Sequence, residues 1–380
     1  MRDIAESVVQ FSLIVPTFNE RDNLIALIHR VQRALAGHLF ELIIVDDDSP
    51  DQTWQLAQDL SRDDHRLRVI RRMGQRGLAT AVVAGWNNAR GRILGVMDGD
   101  LQYPPELLPQ LLKAVEGISA DIVIASRYVP GATIEQWGFL RKLNSWGARL
   151  LARLALPGVS SEIRDPGAGC FVMQRKVIEN TDLRPLGYKI LLEVLARGHY
   201  TSVMEIPHDY KGRTEGYSKL DFRQHAAFLS HLVRLARETG EFRRVLRSCV
   251  VDLSSVFVAL GVVVILTEAY GMHYLYAGSA ALVCSIANNF VWNELWTFAD
   301  RTRKSGTFLD RIKRFLLFSK VCVGGVLLAL VVLWLLMDIV GLYYLASTVI
   351  ALALAGVWNH SFHTKNTWVS WQAQFRDNGW

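Results

Sequence analysis

Four apolar segments fill the second half of this chain and limit what it can fold into. They run roughly over residues 250–267, 274–298, 315–337 and 342–357. Each approaches the ~20 residues that an α-helix needs to cross a bilayer. A soluble bundle of buried helices is the competing reading. The third segment argues against it, with one charge, Lys320, in 23 residues. The fourth is the shortest. Ahead of them, residues 1 to about 245 are mixed, charged and globular in pattern, so the 380 residues divide into a globular part and a membrane part.

Basic residues set the orientation. Arg243, Arg244 and Arg247 stand before the first segment, and Arg301, Arg303, Lys304, Arg311, Lys313 and Arg314 lie between the second and third. The connections 268–273 and 338–341 hold no Lys or Arg. The positive-inside rule then predicts a cell-membrane protein with its globular domain, middle loop and both termini in the cytoplasm. Trp292, Trp296, Trp358, Trp368 and Trp371 fit interfacial aromatic belts, with core packing as the alternative for some of them. The stretches 137–156 and 222–237 mix Arg and Lys with Leu, Trp and Phe at helical spacing, which fits either helices lying in the headgroup layer or ordinary surface helices packed on their own domain. The net charge of +6 is too modest to indicate nucleic acid. The N-terminus is polar and shows no secretory signal. Cys170, Cys249, Cys284 and Cys322 are too scattered for a metal or disulfide framework.

The first half alternates strand and helix signals. Strands are expected at 11–15, 41–45, 67–70, 93–97 and 122–125, and helices at 23–35, 53–60 and 77–89. This order implies a mostly parallel sheet with helices on both faces. The run Asp98-Gly99-Asp100-Leu101-Gln102-Tyr103-Pro104-Pro105-Glu106 follows the fourth strand. Oxygen-bearing side chains stand at every second position, at the strand end where such sheets bind ligands. They suit a hard divalent cation that also holds phosphates. Alone, a motif of this kind is more often a solvated acidic turn.

The neighbouring motifs decide between these. IVPTFNE, VDDDSPDQT, RGLATAV, DGDLQYPPE, ASRY, DPGAGCFVM, GYKILLEVLARG and GRTEGYSKL occur in one order across residues 8 to 225. Together they resemble the polyprenol-phosphate (dolichol-phosphate) mannose synthases of glycosyltransferase family 2. The C-terminal region resembles GtrA-like membrane domains, with NNFVWNELWTF from Asn288 as its second helix. The resemblance implies an α/β fold of the GT-A (Rossmann-like) type followed by an all-α transmembrane domain of four helices. The expected boundaries are 1–220 for the glycosyltransferase domain, 221–247 for an amphipathic helix and linker, and 248–380 for the membrane domain and tail.

The resemblance also implies the chemistry: inverting, metal-dependent transfer of a hexose, mannose from GDP-mannose first, to polyprenyl phosphate. Asp98, Asp100 and Gln102 would hold Mg²⁺ or Mn²⁺, with Asp98 also near the donor sugar. Pro16, Phe18, Glu20, Val45 and Asp47 would form the nucleoside pocket, and Gly99 would let the backbone approach the donor. Arg127, Arg213 and Lys219 would serve the diphosphate and acceptor phosphate, with Lys189 as a further substrate contact. A phosphate acceptor is already anionic near neutral pH and needs no strong base. Glu193, the one carboxylate near a matching position, is therefore expected to have a structural or donor-sugar role. Ala168-Gly169-Cys170 replaces the family's Ser-Gly-Phe, which leaves the sugar open. The competing readings are the same reaction with a UDP-sugar such as UDP-glucose, and lipid-linked sugar transport or scaffolding by the membrane half. The QxxRW motif of processive polysaccharide synthases is missing.

Overall fold

The computed structural model describes residues 9–117, 120–134, 138–156, 163–210, 222–302 and 307–368. It separates into two compact units, Met1–Leu235 and Ala236–Trp380.

The first unit is built on a seven-stranded sheet. Its elements in chain order are β1 (Phe11–Thr17), α1 (Arg21–Ala34), β2 (Phe40–Asp46), α2 (Thr53–Leu60), β3 (Leu67–Arg71), α3 (Leu78–Asn88), β4 (Ile93–Val96), α4 (Leu108–Glu116), β5 (Ile122–Ser126), β6 (Thr133–Ile134), α5 (Phe139–Ala155), β7 (Phe171–Gln174), α6 (Ile190–Arg197), β8 (Val203–Pro207), β9 (Asp209–Tyr210) and α7 (Phe222–Glu238). The sheet order is β3-β2-β1-β4-β7-β5-β8, with β6 and β9 forming a separate pair. Only β7 runs antiparallel, inserted between β4 and β5. All the expected strands and helices form, and β7 is the element the alternation rule does not supply.

Every residue of β1, β2, β4 and β5 is buried. Strands buried along their whole length need cover on both faces. Leu13, Val15, Leu42 and Ile44 belong to one core, with Leu24, Leu27, Val31, Leu108 and Leu111 from α1 and α4. Ile14, Ile43, Val45, Leu94 and Val96 belong to the other, with Val82 and Trp86 of α3 and Leu191 and Val194 of α6. Gly85 allows α3 to lie close to the sheet, since a Cβ there would come within 2.6 Å of Ile14 Cγ2.

The second unit is helical: α8 (Glu241–Val264), α9 (Tyr274–Trp292), α10 (Ala299–Thr302), α11 (Phe308–Trp334) and α12 (Tyr344–Phe362). Segments Glu241–Ala269, Tyr274–Thr297 and Phe308–Ile339 are long and apolar enough to cross a membrane. At 19 residues, α12 spans about 28 Å, close to the hydrocarbon thickness. Phe257 (66% exposed) and Leu260 (58%) face outward from α8. An apolar exterior of this extent fits lipid and would be a liability in water. The expected linker 221–247 is divided, because Glu241 already opens α8.

The membrane unit is an internal repeat, which the sequence reading did not find. Tyr274–Trp292 ends in the π-turn Asn293–Thr297, and Tyr344–Phe362 ends in the π-turn His363–Thr367. Gly271 (φ +65°) and Gly341 (φ +74°) occupy matching left-handed positions before them. Buried Asn293, Glu294 and Thr297 correspond to buried His363, Thr364 and Thr367. Phe298 and its counterpart Trp368 stack face to face, with ring centroids 4.5 Å apart. Trp368 is therefore a packing residue, 2% exposed, and not part of an interfacial belt. Trp371 lies outside the described residues.

Glu294 joins the two hairpins, taking one bond from Arg314 (2.6 Å) and one from Trp368 Nε1 (2.8 Å). Replacing it with alanine leaves a guanidinium and an indole N–H without this acceptor. The expected cost is about 1–3 kcal/mol, read as a lower Tm in detergent. An unchanged Tm would show that the clasp adds nothing.

Candidate active site

The strand order reverses between β1 and β4, and open α/β sheets leave a crevice at such a point. The Asp98–Gln102 run emerges there. Asp100 and Gln102 are almost fully buried, at 7% and 4% exposure. Leu101 between them is held at φ +58°, a left-handed conformation that a branched side chain adopts at a cost. The Asp100 carboxylate accepts from the Gln102 N–H at 3.2 Å, closing the turn. Among the described residues no three His, Cys, Asp or Glu side chains gather to hold an ion. The third donor of the expected set is the Gln102 amide, and three oxygen donors fit a hard divalent cation.

Asp98 is seated by a glycine. A Cβ on Gly169 would lie 2.6 Å from Asp98 Cγ and overlap its carboxylate. The Gly169 N–H donates to Tyr103 Oη at 2.9 Å. Tyr103 stacks on His208 (4.7 Å) and meets Tyr210 edge-on (5.5 Å). Tyr210 Oη donates to Gln102 Oε1 at 2.6 Å. Burial pushes the Tyr210 hydroxyl up to about 12, so it remains an O–H donor at physiological pH. Around Gly169, Ala168 and Cys170 point into the two cores. The departure from the family's Ser-Gly-Phe thus changes packing positions. A Cβ on Gly99 would face Thr17 Cγ2 at 3.3 Å, so Gly99 packs on the end of β1.

The cations lie beside this run. Arg127 binds Asp165 through two parallel bonds of 2.7 and 2.8 Å. Burial works to raise Asp165, but the guanidinium outweighs it and holds the carboxyl below its usual range. The Arg164 and Asp165 N–H groups rest on Glu205. Lys189, just ahead of α6, donates to Gly167 O at 2.7 Å. Burial, with Arg127 nearby, lowers its pKa to about 8. Arg213 and Lys219 lie outside the described residues.

The expected nucleoside residues sit at the ends of β1 and β2, but not all face a pocket. Pro16 and Val45 are register partners. The Val45 side chain is wholly in the core, so only its backbone can meet a ligand. Asp47 is buried against Arg72 (2.7 Å) and accepts the Gly77 N–H (2.7 Å). Its first partners are protein groups, and it anchors the start of α3. The Glu20 carboxylate takes a bond from Asn23. The Phe18 ring lies 4.7 Å from the Arg76 guanidinium. Asp46 ties β1 to β2 through Thr17 and closes the following turn on Ser49, and Asp48 pairs with Arg71, so both are structural. Glu193 is fully buried against His231 (2.6 Å), Arg197 (2.7 Å) and the Arg184 N–H.

Comparison with known proteins identifies the chain. Residues 12–181 match glycosyl transferase family 2, and residues 247–369 match the GtrA/DPMS transmembrane domain. The dolichol-phosphate mannosyltransferase of Pyrococcus furiosus is 38% identical over 95% of this chain and its own full length. The chain belongs to the dolichol-phosphate mannosyltransferase family. It is a membrane-bound glycosyltransferase. The Saccharomyces cerevisiae member of the family is 34% identical over 60% of this chain and 87% of its own. The polyprenol monophosphomannose synthase of Mycolicibacterium smegmatis is 38% identical over 55% and 80%. Among solved structures, glucosyl-3-phosphoglycerate synthase from Mycobacterium tuberculosis, in complex with Mn²⁺, UDP-glucose and glycerol 3-phosphate, aligns with a TM-score of 0.45. It is 15% identical over 60% of this chain and 79% of that one.

Several site residues of this family member escape sequence reasoning. Tyr103 and Tyr210 are separated by more than a hundred positions, and nothing in the local pattern joins them. Arg72 has no motif of its own. On α5, Arg149 lies 3.5 Å from the Tyr128 ring centroid, and Tyr128 Oη shares a hydrogen bond with Ser145 (2.6 Å). The one advance signal for α5 was its amphipathic spacing.

Proposed function

We propose that this protein transfers mannose from GDP-mannose to the phosphate of a polyprenyl (dolichyl) phosphate, inverting the anomeric carbon and using Mg²⁺ or Mn²⁺. The observation that carries this reading is the buried Asp100–Gln102 turn beside Asp98, Arg127 and Lys189 at the switch point of the sheet.

Asp98, Asp100 and Gln102 would hold the ion, which when bound neutralises charge developing on the leaving diphosphate. Asp98, fixed by Gly169, also faces the donor. Arg127, locked by Asp165, is an oriented cation for phosphate oxygens. Lys189 adds a second charge on the same side. Arg213 and Lys219 complete the set in this reading.

Two observations favour a phosphate acceptor over a sugar hydroxyl. Glu193, the carboxylate a hydroxyl would call on as base, is committed to His231 and Arg197. The basic face of α5 also lies beside Arg127. Burial lowers Arg149, and the nearby Arg153 and Arg127 charges add to that. Arg149 Nε and Arg153 Nε have no hydrogen-bond partner among the described residues. Crowded cations with unspent donors suit an anion. Attack by that phosphate on C1 needs no proton removed.

In this reading residues 1–220 perform the chemistry on the cytoplasmic side of the cell membrane, and residues 248–380 hold them there. The Lys/Arg-free connections at 268–273 and 338–341 support the orientation. Exposed Leu143, Trp146, Leu150 and Leu151 on α5 support its seat in the headgroup layer.

The test offers purified protein, polyprenyl phosphate and Mg²⁺ either GDP-mannose or UDP-glucose and follows labelled lipid. Labelled lipid is expected from GDP-mannose alone, and EDTA should stop it. Transfer from UDP-glucose alone would replace the donor. Transfer from neither would sink the proposal.

A further inference from the structure

Gln102 poses a chemical problem as a metal ligand. Its amide carries an oxygen and an NH₂ of nearly the same size, and the terminal torsion has only a broad two-fold preference. An NH₂ turned toward the ion would repel it. A carboxylate avoids this because its two oxygens are equivalent. A site that uses glutamine therefore needs something to select the oxygen.

The structure supplies that group. Tyr210 is buried, and its hydroxyl donates to Gln102 Oε1 at 2.6 Å. A carbonyl oxygen has two lone pairs, so accepting from Tyr210 is compatible with coordinating an ion. Donation also draws electron density onto the oxygen. Neighbours hold the Tyr210 ring from several sides. Tyr103 meets it edge-on at 5.5 Å and His208 at 5.9 Å, and the Arg127 guanidinium lies 5.2 Å from its centroid. Its backbone belongs to β9, where Tyr210 is paired with Ile134 of β6. Tyr103 and His208 stack on each other at 4.7 Å, so the aromatic group is a fixed pillar. Tyr103 also receives the Gly169 N–H, and Gly169 abuts Asp98. Both ends of the Asp98–Gln102 run thus rest on this pillar.

We propose that Tyr210 is a positioning residue for the metal, presenting the Gln102 carbonyl oxygen to a divalent cation through its hydroxyl. The inference rests on the metal assignment made under the proposed function. Groups of this kind, bonded to a ligand and not to the ion, are worth about 10–100-fold in metal affinity.

The experiment titrates Mn²⁺ alone into the detergent-solubilised full-length protein and reads free ion from its EPR signal. Four proteins are compared: wild type, Asp100→Ala, Tyr210→Phe and the double variant Gln102→Glu/Tyr210→Phe. Tyr210→Phe keeps the ring and removes one oxygen, and thermal unfolding checks that it folds. The expected result is Mn²⁺ affinity about 10–100-fold weaker in Tyr210→Phe. Recovery is expected in the double variant, whose carboxylate needs no selecting donor. A purely structural role for Tyr210 would not be rescued at position 102. Wild-type affinity in Tyr210→Phe, while Asp100→Ala has lost the ion, would overturn this inference alone. So would a double variant as weak as Tyr210→Phe. No Mn²⁺ uptake by wild type, or undiminished uptake by Asp100→Ala, would remove the metal reading and this inference with it.

Discussion

Asp100→Ala is expected to lower kcat by about 10²–10³-fold while leaving the protein folded. The range follows the cost of removing one group that stabilises developing charge. Asp100 lies in the turn beyond β4, with its carboxylate toward the Gln102 N–H, and it belongs to neither apolar core. Removing the carboxylate would take away one anionic donor of the proposed ion site without opening a cavity among apolar side chains. Mannose transfer to polyprenyl phosphate, measured beside thermal unfolding, separates the outcomes. Activity within a few-fold of wild type would refute the metal assignment. Loss of Tm along with activity would show instead that Asp100 is structural.

Gly169→Ala is expected to cost about 10²-fold in kcat. The loss should arise from displacement, since alanine is no more reactive than glycine. The added methyl would overlap the Asp98 carboxylate, with Asp98 Cγ only 2.6 Å from the new Cβ. Either Asp98 turns away or the Gly169 backbone retreats from Tyr103. Misplacing a reacting group by about 1 Å is enough for a 10²-fold loss. Gly169 is not in the left-handed region, so alanine adds no backbone strain. The same kinetic assay decides, with Asp98→Ala as comparison. An active Gly169→Ala enzyme would show that Asp98 need not sit where the structure places it. A double variant, Gly169→Ala with Asp98→Ala, should be no worse than Asp98→Ala alone, because both changes act through one carboxylate.

The local pattern of the chain was a good guide wherever one element decides the outcome. Leu13–Val15 and Leu42–Val45 are short apolar runs, and such runs bounded by turn signals read as buried strands. Thr53–Leu60 forms over the expected residues. The apolar segments of the second half become helices because an α-helix satisfies every backbone group within itself. β7 was not legible, because its place between β4 and β5 depends on pairing across a long stretch of chain. The repeat in the membrane unit was missed for another reason. Its two copies share helix ends, glycine turns and buried polar positions but few identical side chains.

For the site, the sequence alone determined the chemistry on offer: Asp98, Asp100 and Gln102 at a strand end, with Arg127 and Lys189 in motifs of one family. Charge, oxygen donors and strand-end placement are local properties, and local order preserves them. Only the tertiary structure decided how those groups are held and which are spoken for. It closed Asp47 on Arg72, sank the Val45 side chain into the core and bound Glu193 to His231. It also brought Tyr210 to Gln102 and Gly169 to Asp98. Each of these is a contact between distant parts of the chain, where burial makes a partner obligatory and packing chooses which one.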